Sequence, residues 1–554
     1  MDHLGTLVEA NGEDRFKVIA YHRAATSVRN MQEDVEELWR VGKLEDIQYV
    51  GSGIAKKIDE FLRTGHLRLL DDLQARVPPG VPELMSVTGI GPRTAYKLSH
   101  EYNVKSVQEL KEALDGGLLD REFGPTVRRA LADGIQRLQS YKSRMLLPEA
   151  EGVYDRLAAY FSEGGISVSM AGSLRRGKET VGDIDLLSTD SRATGLLEKY
   201  PGVAQKLEAG PRRASIKLEG GAQVDVRFFE EEECGAAMMY FTGSKDHNIA
   251  MRSLALERGW KLNEYGLFDE RDGRRLAGST EEEVYQKLGL KYIPPELREN
   301  RGEIEAARED RLPKLVRFNE MKGDLQMHST WSDGADDLEA MARAAIERDY
   351  EYIAITDHSV SVRVANGLTQ DRVRRQWKEI DRLNAELKPF KIIKSVELEI
   401  RADGSLDFER EFLDEFELVG ASLHQSFRQT GEKLTNRIVS ALSNPSVDFL
   451  CHPTNRLLGK REGNPIDMRK AIQVAKDRGK MLEIDGEPDR LDLDEVWARR
   501  AMEEGVKLVV DSDAHSVGQL DNLGYGVTIA RKAWLERDDV INTQSLRSVL
   551  NSAG

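Results

Sequence analysis

The spacing of apolar positions changes near residue 150. Before it, Leu44, Ile47, Val50, Gly51, Ala55, Lys57 and Ile58 are echoed forty positions later by Leu84, Val87, Ile90, Gly91, Ala95, Lys97 and Leu98. Each copy predicts a short helix, a glycine-bearing turn and a second helix. After it, the short runs ISVSMAG, DIDLLS and QVDVRFF predict strands interleaved with helices. In YIPPELRENRG, Pro294, Pro295 and a charge cluster predict a boundary. Beyond residue 320, six apolar runs (YIAIT, KIIKSVELE, ELVGASLH, DFLCH, KMLEID and VKLVVDS) alternate with helical segments. Repeated over some 230 residues, that β/α pattern predicts a parallel sheet or barrel.

Composition narrows the class. The 554 residues are 40% apolar and 32% charged, which fits several folded domains and excludes disordered and collagenous chains. No apolar run is long enough to span a membrane. The start, MDHLGTLVEANGED, lacks the apolar core of a secretory signal. Two cysteines, Cys234 and Cys451, cannot build a disulfide framework, so a cytoplasmic location is expected. The net charge of −16 comes from 80 basic and 96 acidic side chains, with no basic tail. Phosphates would therefore have to be handled by metals, backbone amides and a few placed Arg and Lys.

The turns of the repeat suit that task. The second copy, VTGIGPRTAYKL, carries Gly89 and Gly91; the first, YVGSGIAKKI, carries Gly51 and Gly53 but has Tyr49 where Gly89 stands in the second. Glycines at such turns let backbone N–H groups face a phosphate at a helix N-terminus. The pair resembles the helix-hairpin-helix, a clamp on the DNA backbone.

A first chemical site follows. On a strand, Asp183 and Asp185 in GDIDLLS share one face, and Asp225 in QVDVRFF lies on another strand. Carboxylates so close repel each other unless a divalent cation joins them. Upstream, Gly172 and Ser173 open a strand-to-helix turn beside Arg175 and Arg176, as a phosphate cradle requires.

The runs GSLRRGKETVGDIDLL, VDVR and YFTGSKDHNIAMRSLALERGWKLNEYGLF resemble the family X DNA polymerases, over residues 1 to about 300. The resemblance implies two metal ions, Mg²⁺ or Mn²⁺, on Asp183, Asp185 and Asp225. It implies Gly172, Ser173, Arg176 and Gly182 at the nucleotide phosphates, and Tyr240 and Phe241 at the sugar. Gly243 and Ser244 would form a cis-peptide corner, Asn248 would meet the incoming base, and Arg252 the template side. Arg227 and Glu264 match a pair implicated in opening and closing. Two positions depart from the family: Val181 replaces a serine near the phosphates, and Gln223 an arginine near Asp225.

Lys57, in GIAKKIDEFLRTGHLRLL, matches the lysine that forms a Schiff base with a deoxyribose-phosphate flap in repair members. That chemistry needs a neutral amine, with Lys56, Lys17 and Arg68 as the cations expected nearby. The alternative is a lysine that contacts phosphate, which Lys97 at the equivalent position favours.

The second site gathers half of the ten histidines. His328, His358, His424, His452 and His515 each close a strand-like run, in the company of Asp333, Glu397 and Asp513. Strand C-terminal ends of a β/α fold meet on one face, so these eight ligands are expected to converge. Imidazole with carboxylate suits Zn²⁺, Mn²⁺ or both. This half resembles the polymerase-and-histidinol-phosphatase (PHP) phosphoesterases. The family opens with His-x-His, whereas Gln326 stands first here, a poor ligand that would weaken one metal position.

Together the resemblances imply a multidomain α and α/β chain. Residues 1–80 would form a lyase-like helical domain with the first helix-hairpin-helix, and 81–145 a fingers-like helical domain with the second. A mixed-sheet nucleotidyltransferase palm would span 146–232, a thumb 233–300, a linker 301–320 and a distorted β/α barrel PHP domain 321–554. The implied function is template-directed gap filling in DNA base excision repair. The PHP site would process 3′ ends as a 3′–5′ exonuclease, 3′-phosphatase or abasic-site endonuclease. The expected partners are gapped or nicked DNA and dNTPs, with no membrane, a monomeric state, and a monovalent cation at the helix-hairpin-helix. Three alternatives compete: a DNA end-binding scaffold with dead centres, a DNA-binding module fused to a small-molecule phosphatase, and a template-independent nucleotidyltransferase.

Overall fold

The computed structural model describes residues 1–11, 13, 15–30, 35–47, 49–78, 80–87, 90–125, 127–129, 131–132, 134–135 and 144–552. Gly89 lies outside the described residues.

The repeat folds as the pattern predicts. In the first copy a turn with Val50 N donating to Ile47 O at 3.0 Å leads through Gly51 into the helix Ser52–Thr64. In the second, Ile90 N donates to Val87 O, also at 3.0 Å, and Gly91 opens the helix Pro92–Glu101. Gly51 and Gly91 share an extended backbone, with ψ of 172° and 173°. One apolar core joins the first helix, Asp2–Ala10, to the second copy, from Leu4 and Leu7 through Leu84 and Leu98 to Ile135. A smaller one gathers Ala24, Leu44, Ile47, Val50, Ala55 and Ile58.

The palm holds β1 (Met145–Leu146), β2 (Ser169–Met170), β3 (Thr180–Val181), β4 (Asp183–Ser188), β5 (Val203–Ala209), β6 (Arg213–Leu218) and β7 (Gln223–Phe228). Its five-stranded sheet runs β2-β4-β7-β6-β5, with β4 and β7 parallel and the other pairs antiparallel. Ile184, Leu186, Val224 and Val226 point into a core completed by the helix Leu147–Glu163. The thumb packs the helices Cys234–Thr242 and Lys245–Leu256 on a three-stranded sheet of β8 (Trp260–Asn263), β9 (Gly266–Asp269) and β10 (Arg275–Ala277). The segment that follows carries the helix Glu303–Arg308, whose Ile304 and Ala307 enter the thumb core, while Val316 enters the next domain's core.

That domain is a barrel of seven parallel strands in sequence order: β11 (Gly323–Asp324), β12 (Tyr352–Ile355), β13 (Lys391–Glu399), β14 (Leu418–Ser422), β15 (Phe449–Leu450), β16 (Met481–Asp485) and β17 (Leu508–Asp511). A bridge between Met327 and Ala514 brings its first and last edges together. The strands are apolar on both faces, as a sheet with helices outside and side chains within must be. Tyr352 and Ala354 fall in one core cluster, Ile353 and Ile355 in the other.

Charged contacts join the palm to the barrel, Arg456 to Glu179 at 2.6 Å and Lys178 to Glu495 at 3.2 Å, and the thumb to the barrel, Arg531 to Glu296 at 2.8 Å. Among the described residues no helix is long and apolar enough to cross a membrane.

Two candidate metal centres

In the palm, β4 and β7 run side by side in a register that sets Asp185 opposite Asp225. The two-residue period turns Asp183 to the same face as Asp185, and ligand atoms of all three carboxylates lie within 4.8 Å of one another. That clustering fits divalent cations, because three such carboxylates repel without one. Burial, then the charge of Asp183, pushes the Asp185 carboxyl up to about 6 against the pull of Arg227. Arg227 Nη1 donates to Asp185 Oδ1 at 2.7 Å and sits 4.4 Å over the Phe241 ring.

The cradle turn lies against these ligands. Gly172 has φ +64°, and a Cβ there would fall 2.4 Å from Asp185 Oδ2, so only glycine serves. Arg175 is bound to the thumb, donating to Glu281 at 2.6 Å and to Thr242 Oγ1 at 2.7 Å. Arg176 donates to Glu299 at 3.0 Å and to the Thr242 carbonyl, beside the cis bond between Gly243 and Ser244. Tyr240 and Phe241 stand edge to face at 5.1 Å, and Asn248 Nδ2 donates to Tyr240 O at 2.6 Å. Arg252 Nε donates to Asn248 O at 3.3 Å.

Both departures from the family pattern acquire a place. Val181 is fully buried in the palm core and pairs with Met145, so it faces the interior. Gln223 Nε2 donates to Asp225 Oδ2 at 3.0 Å, and Arg213 Nη2 donates to the other oxygen at 3.2 Å. Arg213 was missed in the sequence because nothing in a linear pattern marks a diagonal partner on an adjacent strand.

Lys57 lies on the helix Ser52–Thr64 and belongs to neither ligand cluster. Its amine donates to Gly53 O at 2.9 Å and lies 5.7 Å from the Tyr21 ring centroid. Lys17 and Arg68 are paired with Glu13 at 3.2 Å and Glu60 at 3.9 Å.

In the barrel, Glu397 at the end of β13 is the hub. Its Oε1 lies 2.7 Å from His452 Nε2 and 3.1 Å from His424 Nε2. Its Oε2 lies 2.9 Å from His358 Nδ1 and 3.5 Å from His328 Nε2. His328 Nε2 is 3.1 Å from Asp513 Oδ1, while Asp333 Oδ1 is 3.6 Å from His358 and 3.7 Å from His515. Two sets can each hold an ion: His328, Asp333, His358 and His515, and His358, Glu397 and His424. The buried His328 Nδ1 and His452 Nδ1 have no hydrogen-bond partner among the described residues, which suits a ligand sphere.

Electrostatics sort these imidazoles. Burial opposes charge on His424, yet Glu397 and Glu399 outweigh it and the imidazole is pushed up to about 10. Asp333 and Asp513 do the same for His515, pushed up to about 9. His452 goes the other way: burial, then the Arg490 charge, takes it down to about 4. Glu399 Oε2 accepts from the His424 backbone at 2.9 Å and lies 3.0 Å from its Nδ1. Its signal was visible as the second acid of SVELE. Gln326 is fully buried, and neither amide atom has a partner among the described residues. Arg490 brings a cation to within 3.8 Å of Asp513 Oδ2.

Comparison with known proteins agrees with this division. Family models match for a helix-hairpin-helix domain at residues 1–67, the DNA polymerase beta thumb at 237–299 and the PHP domain at 324–515. The chain is 37% identical to the DNA polymerase/3′-5′ exonuclease PolX of Bacillus subtilis (strain 168), over 99% of this chain and 97% of that one. The chain belongs to the bacterial PolX branch of the family X DNA polymerases. Other relatives of this family X chain resemble one half each. Rat DNA polymerase lambda is 28% identical over 51% of this chain and 52% of its own. A probable phosphatase of Thermoanaerobacter sp. (strain X514) is 30% identical over 36% of this chain and 82% of its own. A polymerase core and a phosphoesterase barrel are thus joined in one chain.

Proposed function

We propose that this polymerase fills short gaps in DNA during repair, and that its barrel trims DNA 3′ ends as a 3′–5′ exonuclease. The observation that carries the reading is the palm triad: Asp183, Asp185 and Asp225 converge on adjacent parallel strands against the Gly172 turn. Mg²⁺ or Mn²⁺ at the triad, and Mn²⁺ or Zn²⁺ at the barrel, would supply the positive charge that activates the attacking oxygen and steadies the phosphate.

The chain's own residues supply the rest. Gly172, Ser173, Arg176 and Gly182 hold the β and γ phosphates, with Arg176 exchanging Glu299 and Thr242 for phosphate oxygens. Tyr240 and Phe241 flank the sugar, Asn248 meets the base and Arg252 the template side. Gly51, Gly53, Gly89 and Gly91 let the two hairpins clamp phosphates, with a monovalent cation at the turn. Lys57 serves a deoxyribose-phosphate lyase step. In the barrel, His328, Asp333, His358, Glu397, His424, His452, Asp513 and His515 hold the ions. The buried, unpartnered Gln326 leaves one position weak. The partners are gapped or nicked DNA and dNTPs, and the enzyme acts as a cytoplasmic monomer.

The test is a gapped duplex with one labelled 3′ end, assayed with and without dNTPs in Mg²⁺ and in Mn²⁺. Template-directed extension with dNTPs and shortening without them are expected. Asp225→Asn should stop extension while shortening and gapped-DNA binding persist. A first-sphere carboxylate is worth roughly a thousandfold or more in rate. Full-rate extension by that variant would remove the triad from the reaction.

A further inference from the structure

Tyr49 is the residue of the repeat that a DNA clamp leaves unexplained. It stands where the second copy has Gly89, and its φ of 60° is a left-handed conformation that favours glycine. Its side chain reaches the barrel instead. Tyr49 Oη donates to the Ser332 carbonyl at 2.7 Å, one residue before the ligand Asp333. The Arg23 guanidinium lies 5.0 Å from the Tyr49 ring centroid and donates to the Arg363 carbonyl. One edge of the first helical module is thereby fastened to the rim of the barrel's metal centre.

Between the two lies a cleft of about 1040 Å³. Phe16 and Arg23, on the helix Arg15–Asn30, line one wall; Arg363 and Phe427 line the other; and the ligand His424 stands in its lining. Phe16 is 80% exposed, and Phe427 lies under the Arg461 guanidinium at 4.8 Å. Arg401, also in the lining, is already matched by Asp407 at 2.9 Å. The cleft therefore offers two aromatic faces, the cations Arg23 and Arg363, and continuity with the metal ligands. Aromatic faces alternating with cations are how proteins hold single-stranded nucleic acid without regard to sequence. The volume is close to that of pockets for drug-sized ligands, about 300–1,000 Å³, enough for a nucleotide or two and too small for a duplex.

We propose that this cleft receives the single-stranded 3′ end of DNA on its way to the barrel's metals, and that Tyr49 holds its outer wall in place. This rests on the phosphoesterase reading of the barrel. A strand end must then leave its duplex before it is trimmed, while a paired end stays with the palm.

The experiment uses the full chain and a single-stranded oligonucleotide ending in 3′-4-thiothymidine, crosslinked by light in Ca²⁺ and mapped by peptide mass. Adducts are expected on residues 15–30 or 425–428. The double variant Phe16→Ala, Phe427→Ala should lower their yield at least fivefold. It should also raise the KM for digestion of the same oligonucleotide, with gap filling unchanged as the check on folding. Tyr49→Gly, which restores the residue type of the second copy, should lower the yield on 15–30 more than on 425–428. Adducts confined to other segments, or a double variant that crosslinks and digests like the wild type, would overturn the proposal. Digestion with crosslinks elsewhere sinks the cleft and spares the phosphoesterase reading. Crosslinks in the cleft without digestion do the reverse.

Discussion

Arg213, on β6, donates to the carboxylate of Asp225, on β7, at 3.2 Å. The register pairs Arg213 with Arg227, so the contact runs diagonally across the sheet. The sequence places an amide, Gln223, where the family carries an arginine near this aspartate, and the neighbouring strand supplies a guanidinium in its stead. Arg213 also pairs with Glu208 at 3.0 Å and is 43% exposed, so its effect should be moderate. Arg213→Ala is expected to slow extension about tenfold, the equivalent of about 1.4 kcal/mol, with gapped-DNA binding retained. Gln223→Arg in that background should restore the rate. An unchanged rate in Arg213→Ala would leave Arg213 as no more than a partner of Glu208.

The contact of Arg227 with Asp185 at 2.7 Å sets a dependence on pH. Because the Asp185 carboxyl is pushed up to about 6, the metal-free palm carries a proton there below that pH, and a cation must displace it. The Mg²⁺ needed for half-maximal extension should therefore be flat above pH 7 and rise toward about tenfold per unit below 6. Arg227→Ala frees Oδ1 for metal but removes the charge that restrains protonation. Relative to wild type, it should need less Mg²⁺ at pH 8 and more at pH 6. Curves that stay parallel over pH 5.5–8.5 would show that Arg227 does not control this ligand.

Much of this architecture is written in local spacing. A step of two residues from Asp183 to Asp185 puts both on one strand face, and five histidines at strand ends had to meet wherever the barrel's C-terminal ends meet. What spacing cannot carry is a partner from another strand or domain. Arg213 reaches Asp225 through the sheet, Tyr49 reaches Ser332 across a domain boundary, and Arg490 reaches Asp513 from a loop. Val181, where the family carries a serine near the phosphates, has its side chain in the palm core, a placement set by strand alternation.

Lys57 should be trapped by borohydride on DNA bearing a 5′-deoxyribose phosphate. The repeat offers only one other lysine at that position, and Lys97 is closed off by Glu122 at 2.6 Å. Among the described residues Lys57 meets the Gly53 carbonyl at 2.9 Å and lies over the Tyr21 ring, 5.7 Å from its centroid. The adduct should vanish in Lys57→Ala and persist in Lys97→Ala. An unchanged yield in Lys57→Ala would move the Schiff base to another amine, and no adduct with wild type would leave Lys57 a phosphate contact.

His452→Ala should abolish 3′-end processing and leave polymerisation within a few-fold of normal. His452 is 2% exposed with Nε2 only 2.7 Å from Glu397, so on the proposed ligand set its loss takes an imidazole from the hub. The charged contacts of the barrel with palm and thumb run through Arg456, Lys178, Glu495 and Arg531, not through His452. Mn²⁺ should support processing better than Mg²⁺, a hard ion that binds imidazole poorly. The acid limb should also lie above that of free imidazole. His424 and His515, pushed up to about 10 and about 9, keep their protons in the metal-free barrel and must release them to bind an ion. Raised values mean that proton competition is strongest at low pH and fades as pH climbs through 7 to 9, so Mn²⁺ affinity should rise over that window. Titration calorimetry in buffers of different ionisation enthalpy would count the protons released. Retained processing by His452→Ala, or Mn²⁺ binding without proton release at pH 7, would break the link between these histidines and the barrel's chemistry.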